Sequence, residues 1–216
     1  MLDRKKLTAI FAEFLGTATL VFVVINVSRS AVGIPYFVAF AAGLTVILMG
    51  VSVATEVQMN PALTLGLWTA RRIDTMKAVT YIAAQLLGGW AAYCLYKYLI
   101  HGAAQAPVAG KYEVHILVAE AAGTFVFALA AARVFFNEVD GWTRAAIVGG
   151  SYTLGMFVAS AAASGFLNPA VALGSSQWVW GTYVLGPVVG AVVGINLYSY
   201  LFHTPVKSTA KVKANK

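Results

Sequence analysis

The chain has 216 residues, of which 60% are apolar and only 11% are charged, and its mean hydropathy is +0.77. A soluble domain carries roughly 25% charged residues, so the composition indicates an integral membrane protein and excludes a soluble one. The net charge of +7 does not indicate a nucleic-acid partner, because the basic residues lie at the ends of apolar spans and form no patch interleaved with aromatic side chains.

Six apolar stretches are long enough to cross a bilayer as helices. They cover residues 7–27, 36–54, 78–100, 115–136, 143–163 and 180–202. Twelve Lys and Arg residues flank these spans on one side and three on the other, which predicts cytoplasmic termini in the plasma membrane. We expect one transmembrane domain over residues 1–216, with residues 204–216 as a disordered cytoplasmic tail.

Two shorter apolar stretches each open with the same tripeptide. The copies are Asn60-Pro61-Ala62 and Asn168-Pro169-Ala170. Asn is a favoured N-cap and Pro fits the first helical turn, where its missing N–H is not needed. Each stretch ends about ten residues later, which gives a helix of roughly 15 Å, half of a ~30 Å hydrocarbon core. The sequence therefore predicts two half-helices, with helical runs over residues 63–70 and 171–177.

An internal repeat relates the two halves of the chain. The segment Ala12-Glu13-Phe14-Leu15-Gly16-Thr17 returns 107 positions later as Ala119-Glu120-Ala121-Ala122-Gly123-Thr124, and Asn-Pro-Ala returns after 108. The repeats span about 7–100 and 114–203, with three full spans each. Because three is odd, the second repeat starts from the opposite side of the membrane. The two half-helices are then expected to enter from opposite faces and to meet at the midplane.

The two asparagines carry the functional hypothesis. An Asn N-cap accepts a backbone N–H through its side-chain oxygen and keeps its amide NH₂ for donation. If the half-helices meet, Asn60 and Asn168 offer two donors to a molecule at the midplane. Such a site favours an oxygen lone pair, repels cations and interrupts a proton-hopping chain of water. The alternative is that each Asn-Pro pair only caps its helix.

Two carboxylates lie well inside predicted spans. Ionisable groups at membrane depth are rare and have partners, so Glu13 and Glu120 are expected to support the irregular segments before the half-helices by accepting backbone N–H groups. Proton relay is the alternative role for these two side chains.

These motifs resemble those of the aquaporin or major intrinsic protein family over about residues 7–202. The likeness also includes Tyr81-Ile82-Ala83-Ala84-Gln85-Leu86-Leu87-Gly88 and Tyr183-Val184-Leu185-Gly186-Pro187. The resemblance implies an all-α inverted repeat with six tilted helices, two re-entrant half-helices, one pore per subunit and a homotetramer. It implies passage of water or small neutral solutes without a cofactor. It also implies a ladder of pore carbonyls from Glu56, Val57, Gln58, Gly165, Phe166 and Leu167.

The chain departs from the family pattern where an outer constriction is expected. By the resemblance, that constriction is formed by Ala42, Met156, Gly165 and Val171. The family usually has Arg at the position of Val171 and His at the position of Gln58. All four constriction residues are small or apolar here, so we expect a wider opening that lacks a fixed positive charge.

The function expected from the sequence is passive conduction of water and small uncharged solutes such as glycerol, urea, ammonia or hydrogen peroxide. An enzyme is not expected, because no catalytic triad, metal-ligand spacing or phosphate loop occurs. Three alternatives are a facilitator with little water selectivity, a coupled secondary transporter and a non-conducting structural membrane protein.

Overall fold

The computed structural model describes residues 3–31, 33–53, 58–102 and 112–203. The helices in chain order are α1 (Arg4–Ser28), α2 (Pro35–Ser52), α3 (Pro61–Thr69), α4 (Thr75–Leu99), α5 (Val114–Phe136), α6 (Gly141–Ala159), α7 (Pro169–Gly174) and α8 (Leu185–Phe202). A π-helical turn, Trp180–Val184, leads directly into α8. The expected pore carbonyls of Glu56 and Val57 and the tail 204–216 lie outside the described residues.

The described helices comprise six long ones and the two short ones, α3 and α7. Of the long ones, α1, α2, α4, α5 and the segment Trp180–Phe202 are long and apolar enough to cross a membrane by length and composition. Helix α6 has 19 residues but carries Arg144 and several hydroxyl side chains. It packs against α2 and α5 and completes the bundle of long helices.

The two halves of the chain pack in the same way and exchange their short helices. Helix α1 packs on α4 as α5 packs on α8, and α2 and α6 pack on each other. In contrast, α3 packs mainly against α8 of the other half, and α7 mainly against α4. The exchange places both short helices in the interior, where their N-terminal ends meet.

Small residues allow the closest helix contacts. A Cβ at Gly88 of α4 would lie 2.5 Å from the carbonyl oxygen of Phe14, and one at Gly190 of α8 would lie 2.2 Å from that of Ala121. Membrane helices associate through such close packing, because lipid offers no hydrophobic drive. These two glycines therefore fix the distances α1–α4 and α5–α8.

Both short helices begin at the predicted Asn-Pro pairs, but they end before the C-terminal residues predicted from the sequence. Arg71 and Ser176, at φ 58° and 60°, adopt the left-handed conformation just after α3 and α7. The N–H groups of Arg72 and Gln177 then donate back to Leu67 and Ala172. This arrangement is a Schellman motif formed without glycine. It ends the helices at Thr69 and Gly174, before the predicted residues 70 and 177.

Candidate functional site

The two Asn-Pro-Ala segments each begin a short helix with a side-chain cap. Asn60 Oδ1 accepts from the N–H of Ala62 at 2.8 Å and of Leu63 at 3.3 Å. Asn168 Oδ1 accepts from the N–H of Ala170 at 2.9 Å. Both asparagines are at most 2% exposed. Each oxygen thus satisfies N–H groups that have no partner within the helix.

The amide nitrogens join the two halves. Asn60 Nδ2 donates to the carbonyl oxygen of Leu167 at 2.8 Å, and Asn168 Nδ2 donates to that of Met59 at 2.8 Å. Met59 and Leu167 are the residues that precede the opposite asparagine. We call these four residues the amide clasp. An NH₂ group has two N–H donors, so each clasp amide keeps a second one beyond this bond.

Two buried carboxylates hold the backbone beside the clasp. Glu13 accepts from the N–H groups of Gln58 at 2.7 Å and Met59 at 2.8 Å. Glu120 accepts from the N–H groups of Phe166 at 3.0 Å and Leu167 at 2.8 Å. Irregular backbone away from water must find protein partners, and these carboxylates supply them.

The first half contains a polar network that the second half lacks. Gln85 Nε2 donates to Glu13 at 2.7 Å and lies 3.0 Å from Thr64 Oγ1. Thr64 Oγ1 in turn donates to Gln58 Oε1 at 2.6 Å. In the second repeat, Pro187 and Ala172 stand where Gln85 and Thr64 would be.

Sequence reasoning did not single out Gln85 or Thr64 for a role. The signal was present, because both are uncharged polar side chains within apolar stretches. Such side chains find hydrogen-bond partners when they are buried.

In the second half, tyrosines contact the segment before α7. Tyr152 donates to the carbonyl oxygen of Phe166 at 2.6 Å. The Tyr183 hydroxyl lies 3.2 Å from Ser164 Oγ, and its ring centroid lies 5.0 Å from that of Phe166. Since Leu167 and Phe166 already accept from Asn60 and Tyr152, each of these carbonyls keeps one lone pair for a solute.

The residues expected at the outer constriction are buried and uncharged. Ala42, Met156 and Val171 are at most 3% exposed. Gly165 has φ +68°, and a Cβ there would lie 3.1 Å from the carbonyl oxygen of Met156. The structure therefore brings Gly165 against Met156, and a side chain at residue 165 would strain the backbone and displace the Met156 carbonyl slightly.

A cavity of about 710 Å³ opens on the face where α1 begins and α8 ends. Its inner end reaches Gln58, and its other polar walls include Arg72, Lys77, Glu138, Arg144 and His203. We call this space the basic vestibule. Within the described ranges, no group of three or more His, Cys, Asp or Glu side chains could hold a metal ion.

Comparison with known proteins agrees with this geometry. The profile of the major intrinsic protein family matches residues 2–198. Aquaporin AqpM of Methanothermobacter thermautotrophicus is 31% identical over 193 residues, which are 79% of this chain and 76% of that protein. Human aquaporin-2 is 29% identical, with 94% and 82% covered.

A solved structure also shares the fold. The aquaglyceroporin from Plasmodium falciparum superposes with a TM-score of 0.71 at 21% identity, covering 90% of this chain and 96% of that one. The expected all-helical fold with its half-helices is thereby confirmed. The chain belongs to the major intrinsic protein family.

Proposed function

We propose that this chain is a passive channel that conducts water and small uncharged solutes through a pore in each subunit. The observation that carries the proposal is the amide clasp. Two short helices, each capped by a buried asparagine, meet in the interior and are held together by reciprocal 2.8 Å hydrogen bonds. This arrangement fixes the position of both amides and leaves one N–H on each for a passing molecule.

The clasp amides select for an oxygen lone pair. A water that accepts from both Asn60 and Asn168 must point its hydrogens away from the midplane in both directions. This orientation interrupts the chain of hydrogen bonds along which a proton would hop. A cation gains nothing from N–H donors and is repelled by them, so cations are excluded at this point.

Backbone carbonyls supply acceptors on either side of the midplane. We assign this role to Glu56, Val57 and Gln58 in the first half and to Gly165 and Phe166 in the second. Leu167 belongs to the same ladder, because its carbonyl accepts from the clasp through one lone pair and keeps the other for a solute. Glu13 and Glu120 support both ladders through the N–H groups that they bind.

Selectivity is assigned to the outer constriction of Ala42, Met156, Gly165 and Val171. All four are uncharged, and none has a side-chain hydrogen-bond donor or a strong side-chain acceptor for a solute. Such a constriction discriminates by size, so solutes somewhat larger than water should pass. We further propose a homotetramer in the plasma membrane with cytoplasmic termini, which places the basic vestibule on the cytoplasmic side.

Stopped-flow light scattering on proteoliposomes tests the proposal. We expect water and glycerol permeability well above that of protein-free vesicles, linear in the gradient and independent of proton or sodium gradients. Asn168→Asp should abolish the excess, because a carboxylate cannot donate to Met59. Flux equal to that of empty vesicles would overturn the proposal in favour of a structural role. Saturating, gradient-coupled flux would overturn it in favour of a secondary transporter.

A further inference from the structure

The basic vestibule contains two arginines, Arg72 and Arg144, that form no ion pair with any residue the structure describes. We infer that this vestibule is a binding site for a phosphate-type oxyanion, which closes the pore from that side when it is occupied. Anion binding is supported by the contacts of the described residues alone and does not require a conducting pore. The closure rests on the proposed function, since it requires a conducting pore.

Both guanidinium groups are held in place by the same helix end. Arg72 donates to the carbonyl oxygen of Phe135 from Nε at 3.0 Å and from Nη2 at 2.6 Å. Arg144 donates through Nη1 to the carbonyl oxygen of Val134. These are consecutive carbonyls in the last turn of α5, which have no acceptor role within the helix. Arg72 also lies 4.7 Å above the ring centroid of Phe136.

Most of the guanidinium donors remain open. A guanidinium has five N–H donors, of which Arg72 uses two and Arg144 one on these carbonyls. Seven N–H groups thus have no hydrogen-bond partner among the described residues. No described carboxylate lies within ion-pair distance of either arginine, and Glu138, which lines the same cavity, forms no ion pair with a described cation. The C-terminal end of α5 offsets roughly half a charge, which leaves the site positive.

A phosphate group matches this site in charge, geometry and room. Planar guanidinium groups recognise phosphate oxygens through paired N–H donors, and both groups here are already oriented, so little side-chain entropy is lost on binding. The cavity of about 710 Å³ admits inorganic phosphate or a phosphate monoester. Gln58 at its inner end lies two residues before Asn60, so an anion held here stands in the path to the midplane.

Binding is tested on the full chain in detergent, independently of conduction. Isothermal titration calorimetry with inorganic phosphate, at constant ionic strength in chloride, should give a dissociation constant on the order of 1 mM. Arg72→Gln and Arg144→Gln should each weaken it about tenfold or more. Glu138→Gln removes the negative charge from the cavity and should tighten binding about two- to fivefold. Arg29→Gln, at the other end of the bundle, should change nothing.

If an arginine variant does not fold, the tighter phosphate binding expected of Glu138→Gln still tests the inference. No phosphate binding by the unaltered chain would overturn the inference. Equal phosphate affinity in Glu138→Gln and the unaltered chain would overturn it as well.

Closure is tested in proteoliposomes of neutral phosphatidylcholine. Saturating phosphate should reduce water flux several-fold relative to chloride of equal ionic strength, with Arg72→Gln resistant. In a second arm without free phosphate, phosphatidic acid is added to the lipid. A reduction there identifies a lipid headgroup as the source of the same phosphate group, and a reduction only with free phosphate identifies a soluble ligand. Phosphate binding without any loss of flux would overturn the closure. Absent flux without phosphate would instead overturn the proposed channel.

Discussion

Met59 and Leu167 occupy corresponding positions in the two repeats and share a left-handed backbone conformation, with φ of 52° and 54°. Neither is glycine, and this conformation costs a residue with a side chain roughly 1–2 kcal/mol. The turn directs each carbonyl at the opposite asparagine and each N–H at a buried carboxylate. Strain at two residues is therefore offset by four hydrogen bonds of the site.

The clasp bonds can be separated from the helix caps by serine substitution. Asn60→Ser and Asn168→Ser keep a capping oxygen but lose the amide NH₂ that reaches the opposite carbonyl. We expect each to lower the free energy of unfolding by about 1–3 kcal/mol, because a buried carbonyl loses its partner. Tryptophan fluorescence during thermal unfolding in detergent measures this.

Asn196→Ser serves as the matched control, since the half-buried Asn196 of α8 donates to Thr69 at the end of α3, away from the clasp. Clasp variants as stable as this control would show that the cross-repeat bonds contribute nothing.

A charge swap tests the polar network of the first half. The two Glu13 oxygens accept from Gln58 N, Met59 N and Gln85 Nε2, and Glu13→Gln replaces one of these oxygens with an NH₂ donor. We expect a loss of about 1–3 kcal/mol in the free energy of unfolding. Adding Gln85→Glu should recover part of this loss in unfolding free energy, because the side chain at residue 13 then donates and the one at residue 85 accepts. Glu120→Gln is the comparison: lacking a glutamine partner, it should not respond to Gln85→Glu.

The outer constriction can be given the charge that it lacks. Val171→Arg should reduce glycerol flux more than water flux, since a long cationic side chain would narrow the proposed constriction of small and apolar residues. Val171→Leu adds bulk without charge and should affect glycerol less. Both fluxes are measured on the same proteoliposomes by light scattering. An equal reduction of water and glycerol in Val171→Arg would contradict an open constriction.

Helix contacts at glycine are predicted to be intolerant of a methyl group. Gly88→Ala and Gly190→Ala would place Cβ within 2.5 Å and 2.2 Å of backbone carbonyl oxygens. Such overpacking costs typically about 1–3 kcal/mol, so we expect lower thermal stability and yield. Gly150→Ala is the control, because nothing lies within 4 Å of its added Cβ. Unaltered stability in Gly190→Ala would mean that α5 and α8 separate easily.

Sequence reasoning reached the fold because its signals are local and repeated. Asn followed by Pro marks the start of a helix, so Pro61 and Pro169 were identifiable as first residues of α3 and α7. The ends were less visible, because Arg71 and Ser176 take the left-handed position that glycine usually signals. The widened turn before α8 was also missed. Its cause is Pro187, which cannot donate to Tyr183 and crowds that carbonyl.

The contacts across the repeats could not be derived from spacing. Asn60 and Leu167 are separated by 107 positions, and nothing in either segment specifies which carbonyl receives which amide. The same holds for the vestibule, where Arg72 of the α3–α4 connection and Arg144 of the first turn of α6 bind consecutive carbonyls of α5. In the sequence these arginines indicated only the side of the membrane.

The exchange of short helices has a consequence for biogenesis. Gly66 of α3 rests against the carbonyl of Ala191 in α8, and Gly89 of α4 rests against that of Ala170 in α7. When the first hundred residues leave the ribosome, the surface that shelters α3 has not yet been made. In the nascent first half, α3 therefore cannot pack completely until translation has passed Ala191. Two halves synthesised as separate polypeptides should be inactive alone and regain transport when coexpressed.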